Sequence, residues 1–572
     1  MTYMEKYRQW LEMFKADKAT VMELESIKDD KAEIEDRFYR ELEFGTAGMR
    51  GVIGMGLNRM NIYNVRRVSC ALAKFVKSCP GGAERGVVIG YDSRIMSPEF
   101  AKETALTLAA GGVKAYLFES LRPVPVLSFS VRHLNAIAGV EITASHNPSQ
   151  YNGYKVYWED GGQLPPPRAA QVTALMEETS FEESVPMDEK EALEKGLLIH
   201  PSSEVDDAYI AEVKKLQVNP ELAREMGKTL KIVYTPLNGT GNIPVRRILK
   251  EIGMENVYVV PEQELPDGRF PTVKVPNPED KGAFTLAIEM QKKLGADLCV
   301  GTDPDCDRVG VAILTDSGEV RMLSGNQIGC LLLDYILSQK KERGELPANA
   351  AAVSSIVSTD MAKAICRSYG VKHIDVLTGF KFIAEQIQLF QDTGCNTFMF
   401  GFEESYGFLS GTEVRDKDGV NAVMLIAEAA SFYKKRGMTL ADAVDELCEK
   451  YGWYADHVKS VTLAGKDGRA QIDAIMNRLH SEPLEKIGPS RVVAVKDYLK
   501  DTCATSEGVT STGLPKSDVL YYDLEGGAWV CVRPSGTEPK IKIYINAVSG
   551  SAGETRALLD AYAADMDRIL GL

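Results

Sequence analysis

Cysteine is sparse and scattered in this chain. The 572 residues include 10 cysteines, and none of them forms a C-x-x-C pair or a short cysteine and histidine spacing of the zinc-ligand type. We therefore expect reduced, mostly structural thiols.

Long apolar runs are also missing. No stretch approaches the roughly 20 predominantly apolar residues that a membrane-spanning helix needs. The N-terminus mixes acids and bases into its apolar residues from the first turn, MTYMEKYRQWLEMFKADKA, and so lacks the apolar core of a signal peptide. These absences predict a soluble, cytoplasmic protein with no membrane partner.

Positive charge is in short supply. The chain has 66 Lys and Arg against 81 Asp and Glu, a formal net charge of −15. Such a field repels polyanions, which predicts that nucleic acid is not a partner. A small anionic substrate stays compatible, because a local cluster of cations and backbone N–H groups can outweigh a net charge that salt screens beyond about 10 Å. Walker A and complete G-x-G-x-x-G loops are absent as well.

The composition that remains is that of an ordinary globular protein, with 44% hydrophobic and 26% charged residues. At about 150 residues per domain, the length predicts roughly four domains. One local pattern recurs: a short apolar run, a polar loop rich in Gly, Pro or Ser, then a helical period. Apolar strands that alternate with helices predict an α/β fold, with sites in the loops at the carboxyl ends of the strands. The recurring runs are GVVIGYDSR, AIAGVEITASHNPS, LKIVYTPLNGTG, ADLCVGTDPDCDR, AAVSSIVSTD and TFMFGFEESYG.

Composition also suggests the domain boundaries. The proline-rich segment 161–170 is interpreted as a rigid excursion, and the acidic stretch 176–195 as a solvated helix or connector. A D-S-G turn near residue 317 suggests a hairpin that closes a second unit. The last part contains strands of antiparallel type and a C-terminal amphipathic helix. We predict three α/β domains and one α+β domain: 1–205, 206–319, 320–452 and 453–572.

The loop DPDCDR follows an apolar strand and carries three aspartates, Asp303, Asp305 and Asp307. In an extended segment, alternate residues point the same way, so the three carboxylates can converge on one hard cation such as Mg²⁺. An EF-hand is excluded because Arg308 and Leu314 stand where that loop has Gly and Glu. An acidic surface turn is the alternative, but mutual repulsion of the carboxylates favours the metal.

The loop TASHNPS presents Ser145 at a strand end, as a nucleophile or phosphate carrier. His146 is adjacent in sequence, and neighbours on an extended chain point to opposite sides, so this pair alone predicts no hydrolase dyad. No G-x-S-x-G elbow surrounds the serine. A simple turn before Pro148 explains the segment equally well.

Two further loops are ambiguous. In GFEESYG, Glu403 and Ser405 suit a sugar, since a carboxylate and a hydroxyl can both bind its vicinal hydroxyl groups. The alternative, slightly favoured on local grounds, is a helix N-terminus with acids that suit its dipole. In EVRDKDG, Arg415 and Lys417 fit an anion site or a solvated charge run equally well.

The loop RPSGTEPK combines cations, hydroxyls and a glycine between two apolar strands. Its composition favours a phosphate cup over a simple turn, because Gly536 allows successive N–H groups to surround an anion. Its other residues are Arg533, Ser535, Thr537 and Lys540. Together the four loops describe a phosphosugar handled in a cleft.

The motifs TASHNP, DPDCDR, GFEES and RPSGTEP, in this order and spacing, resemble the α-D-phosphohexomutase family. The resemblance covers essentially the whole chain, and its nearest likeness is to the bacterial phosphoglucomutase branch. FGTAGMRG, YNGYKVY, FPTVKVPNPE and TGFK also fit. It implies a heart-shaped molecule of three similar α/β domains and a fourth that resembles the TATA-binding protein.

The resemblance also implies an isomerase that interconverts α-D-glucose 1-phosphate and D-glucose 6-phosphate. Ser145 would be phosphorylated and would bind Mg²⁺ together with the three aspartates, and glucose 1,6-bisphosphate would be the intermediate and activator. Ser145, His146, Lys155 and Arg50 would be the catalytic residues, with Lys155 and His146 as candidates for the general acid or base. The implied substrate-binding residues are Thr46, Arg308, Thr378, Gly379, Glu403, Ser405, Lys417, Arg533, Ser535, Gly536 and Thr537.

The sugar loop departs from one pattern of the family. Mutases of mixed glucose and mannose specificity continue this loop as G-E-x-S-G-H, whereas Tyr406 and Gly407 follow the serine here. This favours a phosphoglucomutase with the E-E-S pattern. Phosphomannomutase or phosphopentomutase activity, and a non-catalytic sugar-phosphate sensor, are the alternatives. We expect a monomer or weak homodimer.

Overall fold

The structure, a computed structural model, describes residues 1–45, 48–315, 318–463, 466–535 and 540–571. The chain forms two compact units. The first consists of Met1–Leu323, Ile387–Asp392 and Gly407–Arg436, and the second of the segments Ser324–Gln386, Thr393–Tyr406 and Gly437–Leu572. None of the described helices has the length and hydropathy needed to cross a membrane.

The first unit opens with α1 (Tyr3–Met13), α2 (Lys18–Ser26) and α3 (Lys31–Phe38), which pack through Trp10 and Phe38. A six-stranded mixed sheet follows, in the order β1-β5-β4-β2-β3-β6. Strands β2 and β4 are buried at every position, which is why their sequences show no alternation. The elements are β1 (Gly48–Val52), α4 (Ile62–Ser78), α5 (Gly82–Arg85), β2 (Val87–Tyr91), α6 (Ser97–Ala110), β3 (Ala115–Leu117), α7 (Val124–His133), β4 (Ala138–Ile142), β5 (Tyr151–Trp158), α8 (Pro166–Glu178), α9 (Glu189–Glu194) and β6 (Leu198–Ile199).

A five-stranded sheet completes the first unit, in the order β11-β10-β9-β7-β8. The expected hairpin is present, since β10 and β11 pair antiparallel, although the turn residues Asp316 and Ser317 lie outside the described part of the chain. The elements are α10 (Glu204–Lys215), α11 (Pro220–Met226), β7 (Lys231–Thr235), α12 (Asn242–Glu251), β8 (Asn256–Val259), α13 (Pro261–Glu264), a 3₁₀ helix (Lys281–Phe284), α14 (Thr285–Leu294), β9 (Leu298–Thr302), β10 (Val309–Leu314) and β11 (Val320–Leu323).

In the second unit, β12 pairs in parallel with both β13 and β14. The elements of this part of the chain are α15 (Gly325–Glu342), β12 (Ala350–Ser355), α16 (Met361–Tyr369), β13 (Lys372–Val376), α17 (Phe380–Thr393), β14 (Thr397–Glu403), β15 (Gly407–Leu409), α18 (Gly419–Lys435) and α19 (Leu440–Tyr451), of which β15 and α18 belong to the first unit.

The C-terminal part of the second unit is an antiparallel sheet, as expected, in the order β16-β23-β22-β21-β18-β19-β20. The long helix α21 packs on β16 and β23, and its apolar residues join the core of this sheet. The elements are β16 (Trp453–Thr462), α20 (Lys466–Ser481), β17 (Lys486–Ile487), β18 (Ser490–Asp497), β19 (Thr502–Thr505), β20 (Gly508–Thr510), β21 (Leu520–Leu524), β22 (Trp529–Pro534), β23 (Lys540–Ser549) and α21 (Ala552–Leu570).

One local interpretation of the sequence is wrong. The proline-rich segment is not an excursion, because Pro166 and Pro167 begin helix α8. Proline suits the first turn of a helix, where its missing N–H has no intrahelical partner.

Candidate active site

Ser145 lies three residues beyond the end of β4 and is 3% exposed. Its Oγ donates a hydrogen bond to Asp303 Oδ2 at 2.8 Å and lies 3.1 Å from His146 Nδ1. The expectation that the serine and histidine point apart is wrong, because Ser145 has a left-handed backbone with φ 51° rather than an extended one. The hydroxyl therefore contacts both a carboxylate and an imidazole.

Asp303, Asp305 and Asp307 follow strand β9 and are 0%, 0% and 2% exposed. One carboxylate oxygen from each lies within 4.8 Å of the others. The loop is a tight turn rather than an extended segment, since Cys306 N donates to the carbonyl oxygen of Asp303 at 2.9 Å and Cys306 has φ 53°. The aspartates can hold a metal, as predicted, but a turn brings them together.

The electrostatics of the cluster fit a cation. Burial, followed by the charges of Asp305 and Asp307, raises the pKa of Asp303 well above its usual range. Burial also acts on Asp307, but Lys417, Lys155 and Arg308 outweigh it and lower that pKa. Within the described residues, Asp305 Oδ1 and Asp307 Oδ1 are buried without a hydrogen-bond partner. Buried carboxylate oxygens of this kind are the hard ligands that Mg²⁺ prefers.

Two lysines reach the carboxylates. Lys155 Nζ lies 2.7 Å from Asp305 and 3.7 Å from Asp307, and Lys417 Nζ lies 3.0 Å from both Asp307 and Asp416. Burial would lower the pKa of Lys155, but the charges of Asp305 and Asp307 outweigh it and raise it. Lys417 is 7% exposed and Asp416 is 1% exposed, so a solvated charge run is the wrong interpretation of EVRDKDG.

Three other residues that the sequence predicted for the site, Arg308, Arg50 and His146, lie near this cluster. Arg308 Nε lies 3.9 Å from Asp307, and its Nη1 donates to Glu279 at 2.5 Å. Arg50 Nη1 donates to Asn147 Oδ1 at 3.3 Å, beside the serine. Burial, followed by the charges of Arg308 and Arg50, lowers the pKa of His146 well below its usual range. This lowered pKa favours the neutral form of the His146 imidazole.

The second unit holds the predicted sugar loop. Glu403 ends strand β14 and accepts a hydrogen bond from Gly379 N at 2.7 Å. The hydroxyl of Thr378 is buried and has no hydrogen-bond partner among the described residues. A helix N-terminus is the wrong interpretation of GFEESYG, since Glu404 and Ser405 lie in a turn after β14.

The predicted phosphate loop joins β22 to β23. Arg533 belongs to the end of β22, and Ser535 N donates to the carbonyl oxygen of Lys540 at 2.7 Å. Gly536 and Thr537 of this loop, and Thr46 of the segment before β1, lie outside the described residues.

Sequence reasoning missed several polar residues that the fold buries here. Asp92 and Arg94 are each 1% exposed and hydrogen bond to the serine loop, and Asp416 pairs with Lys417. Glu404 accepts from Ser355 Oγ at 3.1 Å. The signal for the first two is the D-S-R sequence directly after the apolar strand β2, the same position that the other loops occupy on their strands.

A serine hydroxyl bound to a buried cluster of three carboxylates that could hold a metal ion, with lysines beside it, fits the site of a phosphotransferase. The comparisons agree. Residues 41–183, 207–316 and 324–451 match phosphoglucomutase/phosphomannomutase alpha/beta/alpha domains I, II and III, and residues 483–563 match the C-terminal domain of that family.

Individual relatives agree with the domain matches. The chain is 37% identical over 513 residues to a phosphoglucomutase of Staphylococcus aureus, covering 89% of this chain and 90% of that protein. A Thermus thermophilus structure assigned as a phosphomannomutase has a TM-score of 0.69 at 22% identity, and covers 93% of this chain and 99% of its own. The open form of pp63/parafusin, a phosphoglucomutase from Paramecium, has a TM-score of 0.66 at 16% identity, with 93% and 97% covered.

The chain belongs to the phosphoglucomutase/phosphomannomutase family. It is an isomerase that acts by phosphoryl transfer, and it has the four-domain fold of the phosphohexomutases. The resemblance inferred from the motifs is confirmed.

Proposed function

We propose that the chain interconverts α-D-glucose 1-phosphate and D-glucose 6-phosphate through a phosphoserine at Ser145 and a glucose 1,6-bisphosphate intermediate. The observation that carries this proposal is the 2.8 Å hydrogen bond from Ser145 Oγ to Asp303. It puts a hydroxyl that can carry a phosphoryl group at the edge of the carboxylate cluster. The identity to phosphoglucomutases over most of the chain supports glucose as the sugar.

The residues of the cluster fit Mg²⁺. Ser145, in its phosphorylated form, and the three aspartates Asp303, Asp305 and Asp307 would hold the ion through oxygen atoms, two of which are buried without a hydrogen bond among the described residues. When bound, the ion would neutralise charge on the phosphoryl group in the transition state.

The cations of the chain have separate tasks in this proposal. Lys155 is an ammonium held by Asp305 and Asp307, so it stabilises phosphoryl oxygens and can donate a proton. His146 lies 3.1 Å from the serine hydroxyl, and its lowered pKa favours the neutral imidazole, so it is the better candidate to accept a proton. Arg50 and Arg308, on either side, orient the incoming phosphate.

The predicted sugar loop and phosphate loop would recognise the sugar and the phosphate that is not transferred. Glu403 and Ser405 would form hydrogen bonds with sugar hydroxyls, and Thr378 and Gly379 would line the opposite sugar pose. Lys417 would assist binding of the phosphate. The phosphate-binding residues would be Arg533, Ser535, Gly536 and Thr537, and Thr46 is a further substrate contact.

The domain boundaries at residues 205, 319 and 452 are part of the proposal. So are the cytoplasmic location, the monomeric or weakly dimeric state and glucose 1,6-bisphosphate as activator.

Phosphorylation of Ser145 is the decisive test. Intact mass is measured before and after glucose 1,6-bisphosphate with Mg²⁺, for wild type, Ser145→Ala and the control Ser130→Ala. Ser130 is buried, but its hydroxyl donates only to the carbonyl oxygen of Val126 within α7. We expect a phosphate-sized increase that maps to Ser145 in wild type and control, and loss of both the increase and glucose 6-phosphate formation in Ser145→Ala.

Full activity of Ser145→Ala, with no phosphate on the wild-type serine, would contradict the phosphoserine mechanism. Absence of turnover in wild type would instead favour the non-catalytic sugar-phosphate sensor. The preferred sugar is tested separately by kcat/KM for glucose, mannose and pentose phosphates. We expect the glucose phosphates to have the highest value.

A further inference from the structure

The guanidinium of Arg94 is buried against the loop that carries Ser145. It lies three residues after β2 and is 1% exposed. Its Nη1 donates to the carbonyl oxygens of Pro148 at 2.9 Å and Tyr151 at 3.0 Å. Its Nη2 donates to the carbonyl oxygens of Ser145 and Asn147, each at 2.5 Å. The carbonyl groups of one loop therefore converge on a single cation.

Asp92 connects this cation to the other side of the same loop. Its carboxylate accepts from Arg94 N at 2.9 Å and lies 3.3 Å from Arg94 Nε. It also accepts from Thr143 Oγ1 at 2.6 Å, and Thr143 Oγ1 in turn accepts from Ser145 N at 2.8 Å. Both the N–H and the C=O of Ser145 are thus tied to the D-S-R segment after β2.

The conformation that these contacts hold is a strained one. Ser145 has φ 51°, in the left-handed region, which is unfavourable for a residue with a Cβ. Such a conformation persists only where its surroundings over-determine it. The strained backbone directs the side chain toward the carboxylate cluster, with Ser145 Oγ 2.8 Å from Asp303 Oδ2.

The segment FPTVKVPNPE, which begins at Phe270, packs against Arg94. The Phe270 ring centroid lies 5.1 Å from the guanidinium carbon of Arg94. Gly268, two residues before the segment, forms an isolated β-bridge with Arg94. A Cβ on Gly268 would lie 2.4 Å from Ile95 N, so the approach is as close as glycine allows. At its far end the segment contributes Glu279, the ion-pair partner of Arg308.

We propose that Arg94, backed by Phe270, is a positioning residue that holds the Ser145 loop in the conformation from which the phosphoryl group is transferred. The inference rests on the proposed function. Arginine suits the task because its planar guanidinium can donate to four carbonyl oxygens while its face lies on a ring, whereas a lysine ammonium has only three donors and no planar face. At 1% exposure, Arg94 has no surface left for substrate.

The first test compares steady-state kinetics of Arg94→Lys with those of Arg67→Lys. Arg67 is a matched control: it is 7% exposed, donates to the carbonyl oxygen of Thr179 at 2.7 Å and lies 5.0 Å from the Phe181 ring centroid, away from the serine loop. We expect Arg94→Lys to lower kcat by roughly 10- to 100-fold, the cost of a misplaced reacting group. KM should stay within about twofold, because no substrate contact is removed. Arg67→Lys should keep kcat within about twofold.

The second test is hydrogen exchange of the full-length chain without substrate, which does not depend on the activity. Amides of residues 145–151 should exchange faster in Arg94→Lys than in wild type, and at the wild-type rate in Arg67→Lys. Phe270→Leu should also lower kcat and speed the amide exchange of residues 145–151, but by less than Arg94→Lys does. It replaces Arg94→Lys if that variant does not fold.

The outcomes distinguish failure of the positioning role of Arg94 from failure of the proposed mutase reaction. Unchanged exchange of 145–151 in a folded Arg94→Lys, or a kcat within twofold of wild type, overturns the positioning role. A rise in KM with kcat unchanged also overturns it, since that would make Arg94 a binding residue. Absence of turnover in wild type, together with faster exchange in Arg94→Lys, would instead leave the loop contact standing and defeat the proposed reaction.

Discussion

At the scale of single residues, burial decides what each charged group can do. Asp303, Asp305 and Asp307 are acidic neighbours with almost no solvent around them. In water such carboxylates would be screened from one another, but inside the protein burial, followed by their mutual repulsion, raises the pKa of Asp303. A bound divalent cation would neutralise these carboxylates and remove their mutual repulsion.

Asp303→Asn should stabilise the protein without metal and remove its further stabilisation by Mg²⁺. With EDTA at pH 8 we expect the variant to unfold at a higher temperature than wild type, by roughly 1 °C for each kcal/mol of repulsion removed from a chain of this length. Added Mg²⁺ should raise the unfolding temperature of wild type and leave the variant nearly unchanged, because a ligand stabilises only the state that binds it. Activity should be lost.

The control for this experiment is Asp473→Asn, which removes an exposed partner of Arg469 on α20. It should show the wild-type response to Mg²⁺. An equal rise in unfolding temperature for wild type and Asp303→Asn would contradict the assignment of the metal site.

Glu404 should make stability depend on pH. Burial, followed by the charge of Glu403, raises its pKa to about 7, against the opposing charge of Lys542. A carboxyl with a raised pKa stabilises the fold at low pH, and this contribution is lost as the pH rises through about 7. The free energy of unfolding of wild type should therefore fall relative to that of Glu404→Gln between pH 5 and 8.5, by an amount on the order of 3 kcal/mol.

Differential scanning calorimetry of both proteins across this range measures the effect. Glu482→Gln, at an exposed glutamate, should follow wild type at every pH. Parallel curves for wild type and Glu404→Gln would show that folding does not raise the pKa of Glu404.

At the scale of elements, the start of α18 is built against the metal loop. Gly419 N donates to the carbonyl oxygen of Cys306 at 3.0 Å, and Asp418 caps the helix by accepting from Asn421 N at 2.9 Å. A Cβ on Gly419 would lie 2.5 Å from that Cys306 oxygen. The helix thus positions Lys417, which immediately precedes its cap, beside Asp307.

Gly419→Ala should disturb this contact although alanine favours helices. We expect a loss of about 1–3 kcal/mol in stability from overpacking, together with a lower kcat. The control is Gly553→Ala in the first turn of α21, where an added Cβ meets nothing within 4 Å. Its free energy of unfolding should equal that of wild type or exceed it by up to about 1 kcal/mol, because alanine has the higher helix propensity. Wild-type stability and kcat in Gly419→Ala would refute the contact.

At the scale of the whole molecule, the cysteines are all free thiols and differ mainly in access. Cys395 is exposed, Cys70, Cys79 and Cys503 are half-buried, and the others are buried. Hydrogen bonding from Thr393 lowers the pKa of Cys395, whereas burial raises that of Cys366 to about 12.

Thiol titration with a chromogenic disulfide should follow this order. The native protein should show one fast thiol, removed by Cys395→Ser, and the unfolded protein should show all 10 without a reductant. Fewer than 10 after unfolding would reveal a disulfide.

The sequence by itself determined the class of fold and the chemistry of the loops. Buried strands such as β2 and β9 need continuous apolar runs, and turn-forming residues mark where they end, so both are visible locally. The aspartates, the serine and the phosphate loop also lie in short motifs whose composition limits what they can bind.

Only the tertiary structure decided which charges are buried and which groups touch. Lys417 pairs with Asp307, and Arg94 with the loop of Ser145 51 residues away. No local pattern reports such contacts, because burial and pairing depend on elements that are distant in the chain. The contact of Ser145 with His146 depends on a left-handed φ that the residue types do not require, and the packing of Arg94 around that loop holds it.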